Sequence, residues 1–156
     1  MAPFGASRAG LMSTRVDAIP DSAASREQDN TSLSTSDKRG HEFELASSFS
    51  KVEFEISANA SGFSTAYLYD PVAETTLVSK DVSSLSAGEV FSIEASYSAQ
   101  KYHITLDNDG ADYTAGRYDS PSYPYTSTDV DITGEVVGQS VFSDNAWNIV
   151  SIGGLT

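Results

Sequence analysis

Apolar and polar residues alternate with a period of two along segments 51–57, 91–97 and 101–107. In the first segment, Val52 and Phe54 are each flanked by charged residues. A period of two places successive side chains on opposite faces of a β-strand. Each segment therefore predicts a strand with one buried face and one solvated face. No stretch after residue 40 shows the apolar period of a surface helix.

Shorter apolar runs predict seven further strands, at 41–46, 63–69, 74–80, 112–119, 128–133, 135–142 and 145–152. Turn-forming residues separate them, as at Asn59–Gly62 and Asp70–Pro71. Short strands with turns about every 8–12 residues predict an all-β, antiparallel two-sheet β-sandwich. We favour a jelly-roll-like topology over an immunoglobulin-like one. The cysteine spacing that helps to recognise the latter gives no guidance in a chain without cysteine.

Residues 1–40 show no sustained period and predict an extended N-terminal arm before a sandwich domain at 41–156. Segment 21–40 has few apolar residues, so burial there does not offset the entropy of ordering the chain. The residues before it are more apolar than a linker requires, and we expect them to anchor the arm on a neighbouring subunit. The anchor candidates are Phe4, Leu11, Met12, Val16, Ile19 and Pro20.

The excess negative charge of the chain lies entirely in residues 41–156. The arm carries five basic and five acidic residues, whereas the sandwich domain carries four basic and seventeen acidic residues. This distribution gives a formal net charge of −13. A compact domain with so much self-repulsion is most stable where salt screens it, since the Debye length falls to about 3 Å at 1 M salt. The composition is typical of a protein adapted to high salt, although an ordinary acidic domain is the alternative.

The composition also excludes several classes of function. The chain has no cysteine, and therefore no disulfide or zinc–thiolate chemistry. Residues 1–20 lack the apolar run of a secretory signal, and no segment reaches the roughly 20 apolar residues of a membrane span. We therefore expect synthesis in the cytoplasm without membrane insertion. The anionic domain would repel phosphates, which argues against nucleic-acid binding.

The acidic pairs do not resemble a catalytic site. Glu42 with Glu44, and Glu53 with Glu55, are spaced two apart and lie opposite the apolar side of their strands, so we expect solvated faces. His103 alternates outward on its strand and has no histidine partner at a metal-ligand spacing. There is no Gly-x-Ser-x-Gly elbow and no glycine-rich phosphate loop. The sequence therefore predicts a protein that is not an enzyme.

A cluster of aspartates lies near the middle of the domain. Asp107, Asp109 and Asp112 fall within six residues, with Gly110 among them. Closely spaced carboxylates suit Ca²⁺, or Mg²⁺, which bind oxygen ligands. A hairpin turn between two strands explains the same residues through local hydrogen bonds. We expect no cofactor, with a metal ion held by these three aspartates as the alternative.

Tyrosine is concentrated in a short segment with arginine and proline. A tyrosine ring is a rigid apolar plate with a polar tip, useful at an interface or against a sugar. Three interpretations stay open: packing at the end of the sandwich, a subunit interface, or contact with a ligand. The candidates for ligand or interface contact are Tyr113, Arg117, Tyr118, Tyr123 and Tyr125.

Several phrases of the sequence resemble a β-sandwich module of structural proteins from haloarchaeal tailed viruses and proviruses. They are GFSTAYLYD (62–70), DVSSLSAGEVF (81–91), the run 102–134 and the terminal IVSIGGL (149–155). The phrase AIPDS (18–22) resembles the segment that often precedes the module. These are turn and strand phrases, and none of them is a catalytic signature.

The resemblance implies a non-enzymatic structural protein on the surface of the virion, as a capsid turret or decoration protein rather than a tail fibre. It implies other virion proteins as partners, and we expect a symmetric homo-oligomer anchored through the arm. The alternative is a carbohydrate-binding or adhesin module, whose tyrosines contact a glycan or glycoprotein of the host surface.

Overall fold

The computed structural model describes residues 15–17, 31–33, 38–109, 111, 113–119 and 121–156. Throughout these ranges the chain forms β-strands joined by turns, and none of the described residues belongs to a helix that could cross a membrane. The predicted all-β class is confirmed. The strands are β1 (Val16–Asp17), β2 (Thr31–Leu33), β3 (Arg39–Leu45), β4 (Phe49–Ile56), β5 (Thr65–Asp70), β6 (Thr75–Asp81), β7 (Val90–Tyr97), β8 (Lys101–Asp107), β9 (Tyr113–Ala115), β10 (Arg117–Asp119), β11 (Tyr125–Thr126), β12 (Val130–Val137), β13 (Ser140–Phe142), β14 (Asn145–Trp147) and β15 (Ile149–Gly153).

Two antiparallel sheets carry the fold. The small sheet has the order β1-β15-β4-β7, and the large sheet has the order β11-β12-β3-β8-β5-β6, with β13 also paired to β12. The pairs β5–β6, β4–β7 and β3–β8 are nested in sequence, like a long hairpin folded over into two layers. Together with β1 and β15, this nesting is the strand order of a jelly roll. The jelly-roll-like sandwich is confirmed, and β12 extends one of its sheets.

The core lies between the two sheets and follows the predicted period of two. Val52, Phe54 and Ile56 of β4 are fully buried. The ring of Phe54 packs edge-on against Phe43 of the large sheet, with 5.6 Å between ring centroids, and lies 5.5 Å from Phe91 of β7. Aromatic contacts of this geometry add to the free energy gained from burial. Alternation in the sequence therefore identified the inward face of β4 correctly.

The sandwich begins earlier in the chain than predicted. Strand β1, inside the predicted arm, pairs with β15 through Val16 and Ile152, and β2 pairs with β9. Arg39 and Gly40 open β3, two residues before the predicted domain boundary. Val16 is only 6% exposed and packs in the sandwich of its own chain, so it is not free to anchor a neighbour. The other anchor candidates lie outside the described residues: Phe4, Leu11, Met12, Ile19 and Pro20.

We expect Val16→Ala to lower the free energy of unfolding by about 1–3 kcal/mol, because it removes buried methyl groups from the core. Urea denaturation followed by Trp147 fluorescence would measure the change. Val72→Ala is the matched control, since Val72 is 73% exposed and should shift stability by less than about 0.5 kcal/mol. Equal stability of the two variants would contradict the placement of β1 in the sandwich.

Asn148 fixes the path of the chain between β14 and β15. Its backbone is left-handed, with φ of 60°, and it is fully buried. Its backbone N–H donates to the oxygen of Gly116 at 2.8 Å, and its side-chain Oδ1 accepts from the N–H of Gly116 at 3.0 Å. Its Nδ2 donates to the oxygen of Arg39 at 2.9 Å. Asparagine tolerates this conformation, and its amide here ties three segments together.

Candidate functional site

A row of polar and aromatic side chains crosses the outer face of the large sheet. Strand register places Tyr69 of β5 beside His103 of β8, and His103 beside Glu42 of β3. The neighbouring row contains Tyr67 and Thr105. Residues directly opposite each other on antiparallel strands lie close enough to interact. The sheet itself therefore assembles the group.

These rows surround a small cavity of about 20 Å³. We call it the outer-face site. Three of its lining residues come from the segments that flank the sheet, including the turn between β12 and β13. The residues that line the outer-face site are Lys38, Tyr67, Tyr69, Thr76, His103, Thr105, Gly138 and Gln139.

His103 faces outward as predicted but is buried, being 2% exposed. The ring of Tyr69 lies 5.6 Å from its ring, at 33° between planes. The β12–β13 turn also contributes to the enclosure, since Gly138 donates a backbone hydrogen bond to the oxygen of Lys38 at 2.7 Å. The prediction of an exposed histidine was wrong, because the outward face of this sheet is covered by its own side chains and by that turn.

Glu42 is also buried, at 7% exposure, although the sequence predicted a solvated carboxylate. Its Oε2 lies 3.1 Å from Nε2 of His103, and its Oε1 lies 3.2 Å from Nζ of Lys101. The hydroxyl of Thr133 donates to Oε1 at 2.9 Å. Burial raises the pKa of Glu42, but the hydrogen bonds from His103, Thr133 and Lys101 outweigh it and lower the pKa to about 2. Glu42 is therefore ionised, and of the pair Glu42 and Glu44 only Glu44 is solvated.

The Glu42 carboxylate determines which nitrogen of His103 carries a proton. Nε2 faces the carboxylate and therefore donates to it. In the neutral ring, Nδ1 is then a hydrogen-bond acceptor. Nδ1 is buried and has no hydrogen-bond partner among the described residues. Since buried polar atoms are nearly always paired, this nitrogen marks a place where a donor from outside the chain fits.

Tyr67 is held in place at the other side of the outer-face site. Its hydroxyl donates to Oδ1 of Asp109 at 2.7 Å, and Nζ of Lys38 lies 3.9 Å from the centre of its ring. Burial and the bond to Asp109 raise the pKa of Tyr67 to about 12. Thr65 also donates to Asp109, at 2.9 Å. The ring is therefore fixed from its edge and from one face.

The predicted metal ligands are engaged with hydrogen-bond donors of the chain. Asp107 is buried, and its Oδ1 accepts from the N–H of Asn108 at 2.7 Å. Asp109 has a left-handed backbone, with φ of 47°, and accepts from Ser64 as well as from Tyr67 and Thr65. Asp112 lies outside the described residues, and no metal-binding group of three or more acidic or histidine side chains occurs among those described. The contacts match the turn interpretation.

Tyr113, one of the candidates for ligand or interface contact, belongs to the core. It is 4% exposed, and its hydroxyl donates to the oxygen of Leu106 at 3.1 Å. Its short strand β9 turns the ring inward. The burial of Tyr113 matches packing, one of the three interpretations that the sequence left open, rather than contact with a ligand or a neighbouring subunit.

The other members of the tyrosine cluster contact the protein itself. Tyr123 donates to the oxygen of Asn145 at 2.8 Å and packs edge-on against Tyr125, with 5.4 Å between ring centroids. Tyr118 packs against Ala146 and Val150. The guanidinium of Arg117 lies 5.7 Å from the ring centre of Trp147. Of the three interpretations, packing describes these contacts, and the cluster is separate from the outer-face site.

Two larger depressions are less suited to a specific ligand. A cleft of about 520 Å³ lies between β6 and β7, and one of about 220 Å³ lies beside the start of β12. No aromatic side chain lines either of them. Sequence reasoning overlooked Tyr67 and Tyr69, although their i, i+2 spacing places both rings on one face of a strand. That spacing was the available signal.

No family model matches the chain, and a search of the curated proteins finds no match for it.

Proposed function

We propose that the chain is a non-enzymatic structural protein of a halophilic tailed virus of archaea, displayed on the particle as a capsid turret or decoration subunit. The observation that carries the proposal is the jelly-roll strand order of β1, β3–β8 and β15. Viral capsid domains and lectins are prominent users of this architecture. The resemblance of the turn and strand phrases to haloviral modules favours a capsid protein over a lectin.

The charge of the domain supports a location in concentrated salt. The formal net charge of −13 gives strong repulsion between neighbouring copies in dilute buffer. In about 1 M salt this repulsion is screened within roughly 3 Å. Copies of the chain can then pack side by side on a particle.

An exposed edge strand supports assembly into a symmetric homo-oligomer. All three residues of β13 are exposed, with Val141 at 42% and Phe142 at 48%. A short apolar strand at the edge of a sheet is a surface on which another chain can pair or pack. Other virion proteins, or further copies of this chain, are the proposed partners.

Deletion of residues 1–14 should stop incorporation of the chain into particles while the purified domain stays folded. The deletion ends before β1, so it tests the arm without removing a strand of the small sheet. Mass spectrometry of purified particles would measure incorporation, and circular dichroism at high salt would measure folding. Val72→Ser, in an exposed turn, is a control that should be incorporated normally. Full incorporation of the truncated chain would contradict anchoring through the arm.

Recognition of host-surface glycans is a second candidate function. The outer-face site favours it, because two half-exposed tyrosines there flank a buried imidazole with an unused acceptor. A displayed module can combine this role with a structural one.

A further inference from the structure

The outer-face site has the dimensions of a single hydroxyl group. Its cavity of about 20 Å³ exceeds the roughly 10–15 Å³ that one water needs. His103 lines it, and the Nδ1 of His103 lacks a partner among the described residues. A water or a ligand hydroxyl that donates to Nδ1 would satisfy this buried acceptor.

The side chains around the cavity suit a ligand whose ring has an apolar face. Tyr67 and Tyr69 alternate along β5, and both line the cavity from the same face of the sheet. Asp109 and Lys38 fix the ring of Tyr67, while the ring of Tyr69 rests against His103. Rings held in this way lose little entropy when a ligand packs on them, which favours binding.

Charge narrows the class of ligand. The chain has a net charge of −13, and the ionised Glu42 and Asp109 adjoin the site, so an anion would be repelled. A cation at Tyr67 would compete with Lys38, whose Nζ already lies 3.9 Å from the ring centre. A neutral molecule with hydroxyl donors and an apolar ring face is neither repelled by the acidic side chains nor in competition with Lys38.

We propose that the outer-face site binds a neutral saccharide, with one hydroxyl in the cavity donating to Nδ1 of His103 and the sugar ring packed on Tyr69. Thr76, Thr105 and Gln139, which also line the cavity, supply polar groups for neighbouring hydroxyls. This inference rests on the second candidate function, recognition of glycans. It assigns that function to the outer-face site instead of the tyrosine cluster considered in the sequence analysis.

The test is a titration of the full chain at high salt with glucose, galactose, mannose and N-acetylglucosamine, followed by ¹⁵N NMR of the histidine side chains. At least one sugar should shift the Nδ1 signal of His103 progressively and saturably. Tyr69→Ala should weaken that binding about tenfold through the lost ring contact, whereas Tyr69→Phe should retain it. Tyr118→Ala is the matched control, since Tyr118 lies in a separate cluster, and should bind like the unaltered chain.

Two results would overturn the inference. One is an Nδ1 signal that none of the four sugars moves, which would mean that water alone occupies the cavity. The other is binding that Tyr69→Ala leaves unchanged, which would place the sugar elsewhere. Because the titration uses the purified chain, its failure is distinguishable from a failure of particle incorporation, which tests the structural role.

Discussion

Replacement of Gly40 by alanine should unfold the domain or destabilise it by about 4 kcal/mol or more. Gly40 lies in β3, between Thr105 of β8 and Val136 of β12. A Cβ at this position would overlap the backbone oxygen of Ile104 and would lie 2.8 Å from Cα of Thr105. Because these are backbone atoms of a paired strand, no side chain can move aside, and β3 would have to separate from β8.

Denaturant unfolding at constant high salt would measure this effect. Gly88→Ala is the matched control, because a Cβ there meets no atom within 4 Å. Its φ of 83° is left-handed, so a cost of about 1–2 kcal/mol is expected from backbone strain alone. A Gly40→Ala protein as stable as the Gly88→Ala protein would show that β3 and β8 are not paired in this register.

Replacement of Glu42 by glutamine should lower the free energy of unfolding by about 3 kcal/mol at neutral pH. The substitution keeps the size of the side chain but removes the charge that accepts from His103, Thr133 and Lys101. A glutamine also presents an N–H₂ group to one of these donors. Removing one partner of a buried charged pair strongly destabilises the folded state, because the remaining group stays buried without its partner.

The pH dependence of this difference has a definite sign. Glu42 has a folded-state pKa of about 2, below its ordinary value of 4.5. The folded state therefore holds the proton more weakly than the unfolded chain, and the stabilisation is complete above 4.5. It is lost as the pH falls from 4.5 through about 2. The stability difference between the unaltered chain and Glu42→Gln should disappear over this range.

Chemical denaturation at a series of pH values would follow the difference. Glu44→Gln serves as the control, since Glu44 lies on the same strand but is exposed, and it should keep the pH profile of the unaltered chain. An unchanged profile in Glu42→Gln would contradict the buried arrangement of Glu42 and His103.

The period of two predicted the inward faces of the long strands. Val52, Phe54 and Ile56 are buried because they lie on the face of β4 that packs against the large sheet, where Phe54 contacts Phe43. The same pattern favoured a jelly-roll-like over an immunoglobulin-like topology but did not determine which strands pair. Which strands pair depends on contacts between residues far apart in sequence, and local patterns do not encode those contacts directly.

Strand breaks were harder to predict than strands. The sequence predicted two strands, 128–133 and 135–142, but β12 runs through Gly134, and its register against β3 shifts between Ile132 and Gly134. In contrast, the predicted strand 145–152 is interrupted at Asn148, where the backbone is left-handed. Glycine can mark a bulge as well as a turn, and asparagine in a strand pattern can mark a break.

The outer-face site was the least predictable part of the molecule. Alternation correctly assigns His103 and Glu42 to the outward face, but it does not reveal that this face is covered. His103 is covered by Tyr69 on a neighbouring strand and by the turn around Gly138, and Glu42 contacts His103, Thr133 and Lys101. Only the strand register and the path of that turn, which are properties of the whole fold, bring these residues together.

The pairing of β1 with β15 closes the jelly roll along one seam. Val16 lies opposite Ile152 in the small sheet, and the backbone of Thr156 bonds to Ser50 and Lys51 of β4 in the same sheet. A reporter or affinity tag fused after Thr156 would therefore lie at the small sheet. The outer-face site belongs to the large sheet, so such a tag would leave its side chains accessible for binding measurements.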